Sequence, residues 1–229
     1  MIKGVIFDFN GTLYDDAAIH IKVWSKIYEE ITGSAEGYEE FRKHLIGGKN
    51  ENIIKQMYEK AGKTITAEEI AKLSAYKEKA YRDYSIEHNT CHMINGAEAV
   101  MDYIKERMPM NLSSNSIDAN IDFFFSEFGV GRWFDRKLVT NDDGVLSDKE
   151  EMYIKAAENI GLELKDCLIF DDSKHGCMSA YAGGCRNIIL IDPKGKKIIY
   201  PGVIQTVRDF TEVDLSIFDW FLNKNMLIY

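Results

Sequence analysis

Residues 3–9 carry an unbroken apolar run, Val5-Ile6-Phe7, that stops at the carboxylate of Asp8. A short apolar run followed at once by the turn signal Gly11-Thr12 predicts a buried strand. From about residue 15 to 91 the rhythm becomes helical, broken at Gly33, Gly37, Gly47-Gly48 and Gly62, and no strand signal occurs. Thr66, with Glu69 three residues on, is a capping-box signature for a helix running to about residue 84. Beyond Cys91 the two rhythms alternate. Helices are predicted over 97–107, 117–128, 150–160 and 174–182, and strands over 109–114, 137–140, 166–170 and 187–191. The tail over 215–222 is amphipathic and predicts a docked terminal helix. This βαβα order predicts an α/β, Rossmann-like parallel-sheet core from residues 1–14 and 92–229, with 15–91 inserted as a helical domain.

Composition narrows the partners. At 229 residues the chain buries one large core or two modest ones. Lys and Arg total 28 against 37 acidic residues, a formal charge of −9 with no basic stripe, so no nucleic-acid partner is expected. No apolar run approaches membrane-spanning length, and the N-terminus enters a strand with no room for a leader, so no membrane partner is expected either. Cys91, Cys167, Cys177 and Cys185 are widely spaced without a CxxC pair, as expected of reduced thiols in a cytoplasmic protein.

Four polar features stand where an apolar strand passes into a loop. They are Asp8-Phe9-Asn10-Gly11-Thr12; Ser113-Ser114-Asn115-Ser116; Lys149; and Asp171-Asp172-Ser173. In a parallel sheet flanked by helices the carboxyl ends of the strands open on one crevice, so these segments predict one site. A strand ending on a carboxylate presents a nucleophile or a metal ligand there. Gly11 frees the backbone of the turn, and the Thr12 hydroxyl can orient Asp8. Asp171 and Asp172 could cap a helix, but two adjacent carboxylates after Leu168-Ile169-Phe170 repel one another unless a cation compensates. Ser147 and Glu150 form an S-x-x-E capping box, which sets Lys149 in a first helical turn where the dipole disfavours a cation; a charge so placed points to a functional partner.

Together these segments resemble the haloacid-dehalogenase-like superfamily of aspartate-nucleophile phosphohydrolases. The resemblance runs from residue 3 to about 210. It is to the branch with a helical cap between the first and second motifs, which includes β-phosphoglucomutase and phosphoglycolate phosphatase. It implies that Asp8 attacks phosphorus and carries the phosphoryl group, with Mg²⁺ screening the approach of one anion to another. It implies Asp8, the main-chain carbonyl of Asn10 and Asp172 as metal ligands, with Asp171 a ligand or an outer partner. Ser114 (Ser113 in the alternative register), Asn115 and Thr12 would hold phosphoryl oxygens, and Lys149 would shield charge between Asp8 and the phosphate. The family usually has Lys-Pro where this chain has Lys149-Glu150, and a gapless count back from Tyr153 sets Ser147 at the lysine's position.

Asn10 departs from the family, which has there a second aspartate that protonates the leaving group and activates water, a contribution of roughly 10²–10⁴-fold. A carboxamide cannot shuttle a proton, although its main-chain carbonyl still serves a metal. Three readings stay open: a slow or specialised phosphatase acting on good leaving groups or using another acid; a phosphate-binding, regulatory protein; or a chain whose Asn10-Gly11 step deamidates. In the cap, His20 and Trp24 resemble the hinge side of β-phosphoglucomutase, and His20 is the nearest candidate for a replacement acid. Gly47-Gly48-Lys49-Asn50 resembles the cap's substrate loop, with Lys49 beside an asparagine where the mutase has arginine. Lys77 and Tyr81, one turn apart, are pocket or helix-face residues. A sugar-phosphate mutase is therefore the weaker alternative. Haloacid dehalogenases have no use for Asp171-Asp172, phosphonate-cleaving relatives carry a small residue in place of Asn10, and a receiver domain lacks the helical insert. The expectation is Mg²⁺-dependent hydrolysis of a small phosphorylated metabolite, with substrate and assembly as monomer or homodimer left open.

Overall fold

The apolar run behind Asp8 forms β1 (Gly4–Phe7), buried along its whole length. Parallel partners flank it on both sides: β2 (Met110–Ser114), with Met110 opposite Val5, and β4 (Cys167–Asp171), with Phe170 opposite Phe7. With β3 (Thr140–Asn141), β5 (Ile188–Ile191) and β6 (Val203–Val207) the sheet order is β3-β2-β1-β4-β5-β6, every pairing parallel. This computed structural model describes residues 1–44, 48–146, 148–195 and 199–219. The chain is an α/β protein with a Rossmann-like parallel sheet. After β1 the strands run outward one way to β3, then resume on the other side with β4. That reversal opens a crevice outside the carboxyl ends of β1 and β4.

The chain divides into two compact units, residues 16–90 and the remainder. The first holds α1 (Ala17–Thr32), α2 (Tyr38–Lys43), α3 (Asn50–Lys60) and α4 (Ala67–Glu87). The Thr66 capping box forms as expected: Thr66 Oγ1 accepts from Glu69 N and Glu69 Oε2 accepts from Thr66 N. In the second unit, α5 (Ala97–Lys105), α6 (Asp118–Glu127), α7 (Lys149–Asn159) and α8 (Lys174–Ala182) accompany the strands. Ala156, Ala157 and Ala180 join Ile6, Ile169, Cys167, Cys177 and Cys185 in one buried cluster, small residues that let α7 and α8 lie close on the sheet. Elsewhere Phe7 stacks on Phe170 with centroids 4.8 Å apart and meets Phe134 edge-on at 5.9 Å, while Phe9 stacks on Phe124 at 3.8 Å. The residues on either side of Asp8 are thus anchored in the aromatic core.

Four local expectations change. The strand predicted over 137–140 is Thr140–Asn141 instead, because Asp135 closes a turn through Lys137 N and Leu138 N. β6 was not signalled: it alternates exposed and half-buried positions, as an edge strand does. The tail forms only a 3₁₀ turn over Leu215–Phe218, opened by the Asp214 carboxylate accepting Ser216 N; residues 220–222 lie outside the described residues. Finally, α7 is capped by Asp148, whose carboxylate accepts Glu150 N at 2.9 Å and Glu151 N at 3.2 Å. An anionic cap also complements the helix dipole, and Ser147 lies outside the described residues.

Phe7→Ala should cost about 3–5 kcal/mol, the usual penalty for emptying a buried aromatic position. The midpoint and slope of urea unfolding measure it, and a loss below ~1 kcal/mol would show that the stack on Phe170 is dispensable.

Candidate active site

The loop after β1 is organised on one carbonyl: Phe9 O accepts from Thr12 N, Leu13 N and Tyr14 N at 3.2, 2.8 and 3.0 Å. This tight turn brings Thr12 Oγ1 to Asp8 Oδ2, to which it donates at 3.1 Å, and within 3.4 Å of Asp172 Oδ1. Asp172 reaches this loop because position 11 has no side chain. Gly11 has φ +81°, and a Cβ there would lie 2.3 Å from Asp172 Oδ2. Two carboxylates from opposite ends of the sequence therefore flank a single hydroxyl.

The other Asp8 oxygen meets the cation. Lys149 Nζ donates to Asp8 Oδ1 at 2.6 Å and to Ser113 O at 3.2 Å, with side chains only 4% and 11% exposed. Lys149 is the first residue of α7, so its backbone sits where the dipole disfavours a cation, and the Asp8 contact compensates. Burial pushes the Asp8 carboxyl from 3.8 up to about 6, against the pull of Lys149.

Asp171, fully buried at the end of β4, has both oxygens occupied. Oδ1 accepts from Ser173 N and Ser173 Oγ, each at 2.8 Å, and Oδ2 accepts from Tyr153 Oη. A Cβ at Gly176 would fall 1.8 Å from Asp171 Oδ2, so α8 too must present a glycine to this carboxylate. Tyr153 lies one turn after Lys149, and its ring centroid is 4.7 Å from the ammonium. Burial and the nearby Asp171 and Asp8 charges hold its phenol well above 10, which keeps it a donor.

Asn10 faces the β2 end. Its Oδ1 accepts from Ser116 Oγ at 2.8 Å and Ser114 Oγ at 3.2 Å, and Ser114 Oγ accepts from Ser116 N at 3.3 Å. Of the two registers considered, Ser114 is the one whose hydroxyl joins this group; Ser113 Oγ is buried without a hydrogen-bond partner. Asn115 is exposed beside them. Sequence reasoning missed Ser116 and Tyr153 as site residues; the Lys149–Tyr153 spacing of one helical turn was the available signal for the second.

His20 and Lys49 belong to the helical unit. His20 Nε2 lies 3.2 Å from Asp16 Oδ2 and its ring stacks on Tyr81, whose hydroxyl also donates to Asp16. Lys49 is exposed and precedes α3; Gly47 of its loop lies outside the described residues. Lys77 is buried against Glu78 at 2.8 Å, under Trp24 and Tyr81, and Asn50 Nδ2 donates to the same Glu78 oxygen at 2.6 Å.

Asp8, Thr12, Lys149, Asp171 and Asp172 thus form one constellation at the carboxyl ends of two neighbouring parallel strands. The model of the haloacid dehalogenase-like hydrolases matches residues 2–184. The chain belongs to that family. Among its relatives, this hydrolase is 26% identical to 6-phosphogluconate phosphatase of Escherichia coli, over 88% of this chain and 89% of that protein. It is 23% identical to the Bacillus subtilis protein YhcW, over 98% of this chain and 99% of that one. A solved HAD hydrolase of family IA, variant 3, from Entamoeba histolytica shares the fold with a TM-score of 0.83 at 24% identity, over 94% of this chain and 96% of that one.

Asp8, Asp171 and Asp172 bring three carboxylates to these strand ends and Lys149 brings one ammonium, an excess of negative charge that a divalent cation can balance. Among the described residues no three His, Cys, Asp or Glu side chains form a metal cage. Asp171 already accepts three hydrogen bonds from Ser173 and Tyr153, which favours Asp8, Asp172 and the Asn10 main-chain carbonyl as hard oxygen donors. One or two carboxylates with water completing the shell is the set that suits Mg²⁺, so these residues fit it.

The carboxyl carbon of Asp8, followed by ¹³C NMR in metal-free protein, should titrate near pH 6, ionising as pH rises through that value. A midpoint at or below 4 would mean that Lys149, rather than burial, dominates.

Proposed function

We propose that this hydrolase is a Mg²⁺-dependent phosphohydrolase of small phosphorylated metabolites, with Asp8 as nucleophile and phosphoryl carrier. The observation that carries this reading is the buried contact of Lys149 with one Asp8 oxygen, while Thr12 holds the other beside Asp172. Lys149 and Thr12 fix the carboxylate's orientation, so that the attack needs little reorganisation. Asp8, Asp172 and the Asn10 carbonyl would hold the ion. Bound there, Mg²⁺ would supply a Lewis acid that relieves repulsion between carboxylate and phosphate. Ser114 and the loop at Asn115 are assigned to phosphoryl oxygens, and Asp171 with Tyr153 to holding β4 and α7 in register beneath the site. Substrate selection is assigned to the helical unit, with Lys49 its exposed cation on the loop before α3. The four free cysteines support a reducing, cytoplasmic setting.

Asn10 supports a second reading, a phosphate-binding regulatory protein with weakened catalysis. The two differ in turnover. Asp8→Asn should lower 4-nitrophenyl phosphate hydrolysis by at least ~10⁴-fold, and EDTA should abolish what Mg²⁺ restores. Turnover that survives Asp8→Asn would overturn the nucleophile assignment. Asp172→Asn should weaken Mg²⁺ binding by at least the ~10–100-fold that loss of even an outer partner brings, with a near-wild-type circular dichroism spectrum. Calorimetric titration with Mg²⁺ checks this, and unchanged affinity would remove Asp172 from the ligand set.

A further inference from the structure

If Asp8 accepts the phosphoryl group, the identity of the departing group turns on Asn10. Its carboxamide is fixed: Ser116 Oγ at 2.8 Å and Ser114 Oγ at 3.2 Å both donate to Oδ1, and the Ser116 N–H holds the second hydroxyl in place at 3.3 Å. With the oxygen used as an acceptor, the side chain is left with amide N–H groups, which donate hydrogen bonds without surrendering a proton.

Among the described residues, the titratable groups at these strand ends are already committed, and so is the candidate acid of the helical unit. Lys149 is held by Asp8 and the Ser113 carbonyl. Asp171 accepts three hydrogen bonds from Ser173 and Tyr153. Asp172 leans over Gly11 beside the Thr12 hydroxyl, in the cation-binding set. His20, the sequence candidate for a substitute acid, is paired with Asp16 and stacked on Tyr81 inside the helical unit. Among the described residues, the crevice therefore combines a nucleophile and a charge-shielding lysine with an amide at position 10, in place of a group that could protonate an alkoxide. A general acid contributes ~10²–10⁴-fold when the leaving oxygen is strongly basic, and little when it departs as a stable anion.

We propose that this hydrolase takes acyl phosphates, in which phosphorus is joined to a carboxylate oxygen, in preference to sugar-type alkyl phosphomonoesters. This rests on the Asp8 phosphohydrolase reading and names its substrate class. An Asp8 oxygen forms a bond to phosphorus, and the P–O bond to the acyl oxygen breaks, its electron pair leaving on that oxygen. An acyl phosphate dianion and the Asp8 carboxylate become a free carboxylate and an aspartyl phosphate dianion, with no proton moved. Water then attacks phosphorus, the bond to Asp8 breaks, and both water protons stay on the phosphate, which leaves as dihydrogen phosphate. The leaving group of this second step is again a carboxylate, that of Asp8 itself. Neither step asks for an acid at position 10; the second goes without the base that an aspartate there would supply, and attack by water sets its pace.

A leaving-group series tests this: acetyl phosphate, 4-nitrophenyl phosphate, phenyl phosphate and glycerol 3-phosphate with saturating Mg²⁺, using Asp8→Asn as the blank. The kcat/KM should fall in that order, with acetyl phosphate ahead of glycerol 3-phosphate by at least the ~10²–10⁴-fold a general acid would have supplied. Folded Asn10→Asp should raise glycerol 3-phosphate hydrolysis by ~10²-fold or more and leave acetyl phosphate nearly unchanged. A flat wild-type profile, or a folded Asn10→Asp that gains nothing on glycerol 3-phosphate, overturns the leaving-group proposal and leaves the hydrolase reading standing. No hydrolysis above the blank with any of the four, acetyl phosphate included, overturns both.

Discussion

Like charges crowd the carboxyl ends of β1 and β4, and the surroundings of those strands are arranged to tolerate the crowding. Asp8, Asp171 and Asp172 stand there with the ammonium of Lys149, which is buried against Asp8, and all but Asp172 are closed to water. Burial makes each uncompensated charge costly. The three carboxylates are accordingly handled in three ways. Asp8 is split between Lys149 and Thr12, Asp171 is given over to neutral donors, and Asp172 is left exposed beside the loop. This division separates the acids by role although two of them are adjacent in the chain.

The sheet supplies the geometry. β1 lies between β2 and β4, so residues following three parallel strands arrive at one edge, and α7 delivers the lysine from its first turn. Phe7 and Phe9 lock into separate aromatic contacts on either side of Asp8. A carboxylate held this way has little freedom left to lose.

Much of this was legible because a charged residue that ends a buried apolar run is seldom there for packing. Asp8, Asp171 and Asp172 announce themselves so, and Lys149 did by standing at the wrong end of a helix. Ser116 and Tyr153 did not, because a serine before a helix and a tyrosine within one are ordinary locally; only the arrival of Asn10 and Asp171 from distant segments gives them a part. The same holds for Lys77, which reads as a solvated helix position until Glu78, Trp24 and Tyr81 enclose it. β6 escaped because its edge pairing outweighs a weak local strand preference, and β3 begins later than expected because an Asp135 turn takes up Lys137 and Leu138.

The thiols packed between the sheet and its covering helices carry a separate consequence. Cys167 on β4, Cys177 on α8 and Cys185 just beyond surround the strand that bears Asp171, and burial pushes all three thiols up, Cys167 to about 12 and Cys185 to about 11. Since the thiolate is the reactive form, alkylating reagents find these sulfurs inert while the layers stay closed. Their modification becomes a clock for transient opening of the scaffold beneath the crevice, readable without substrate.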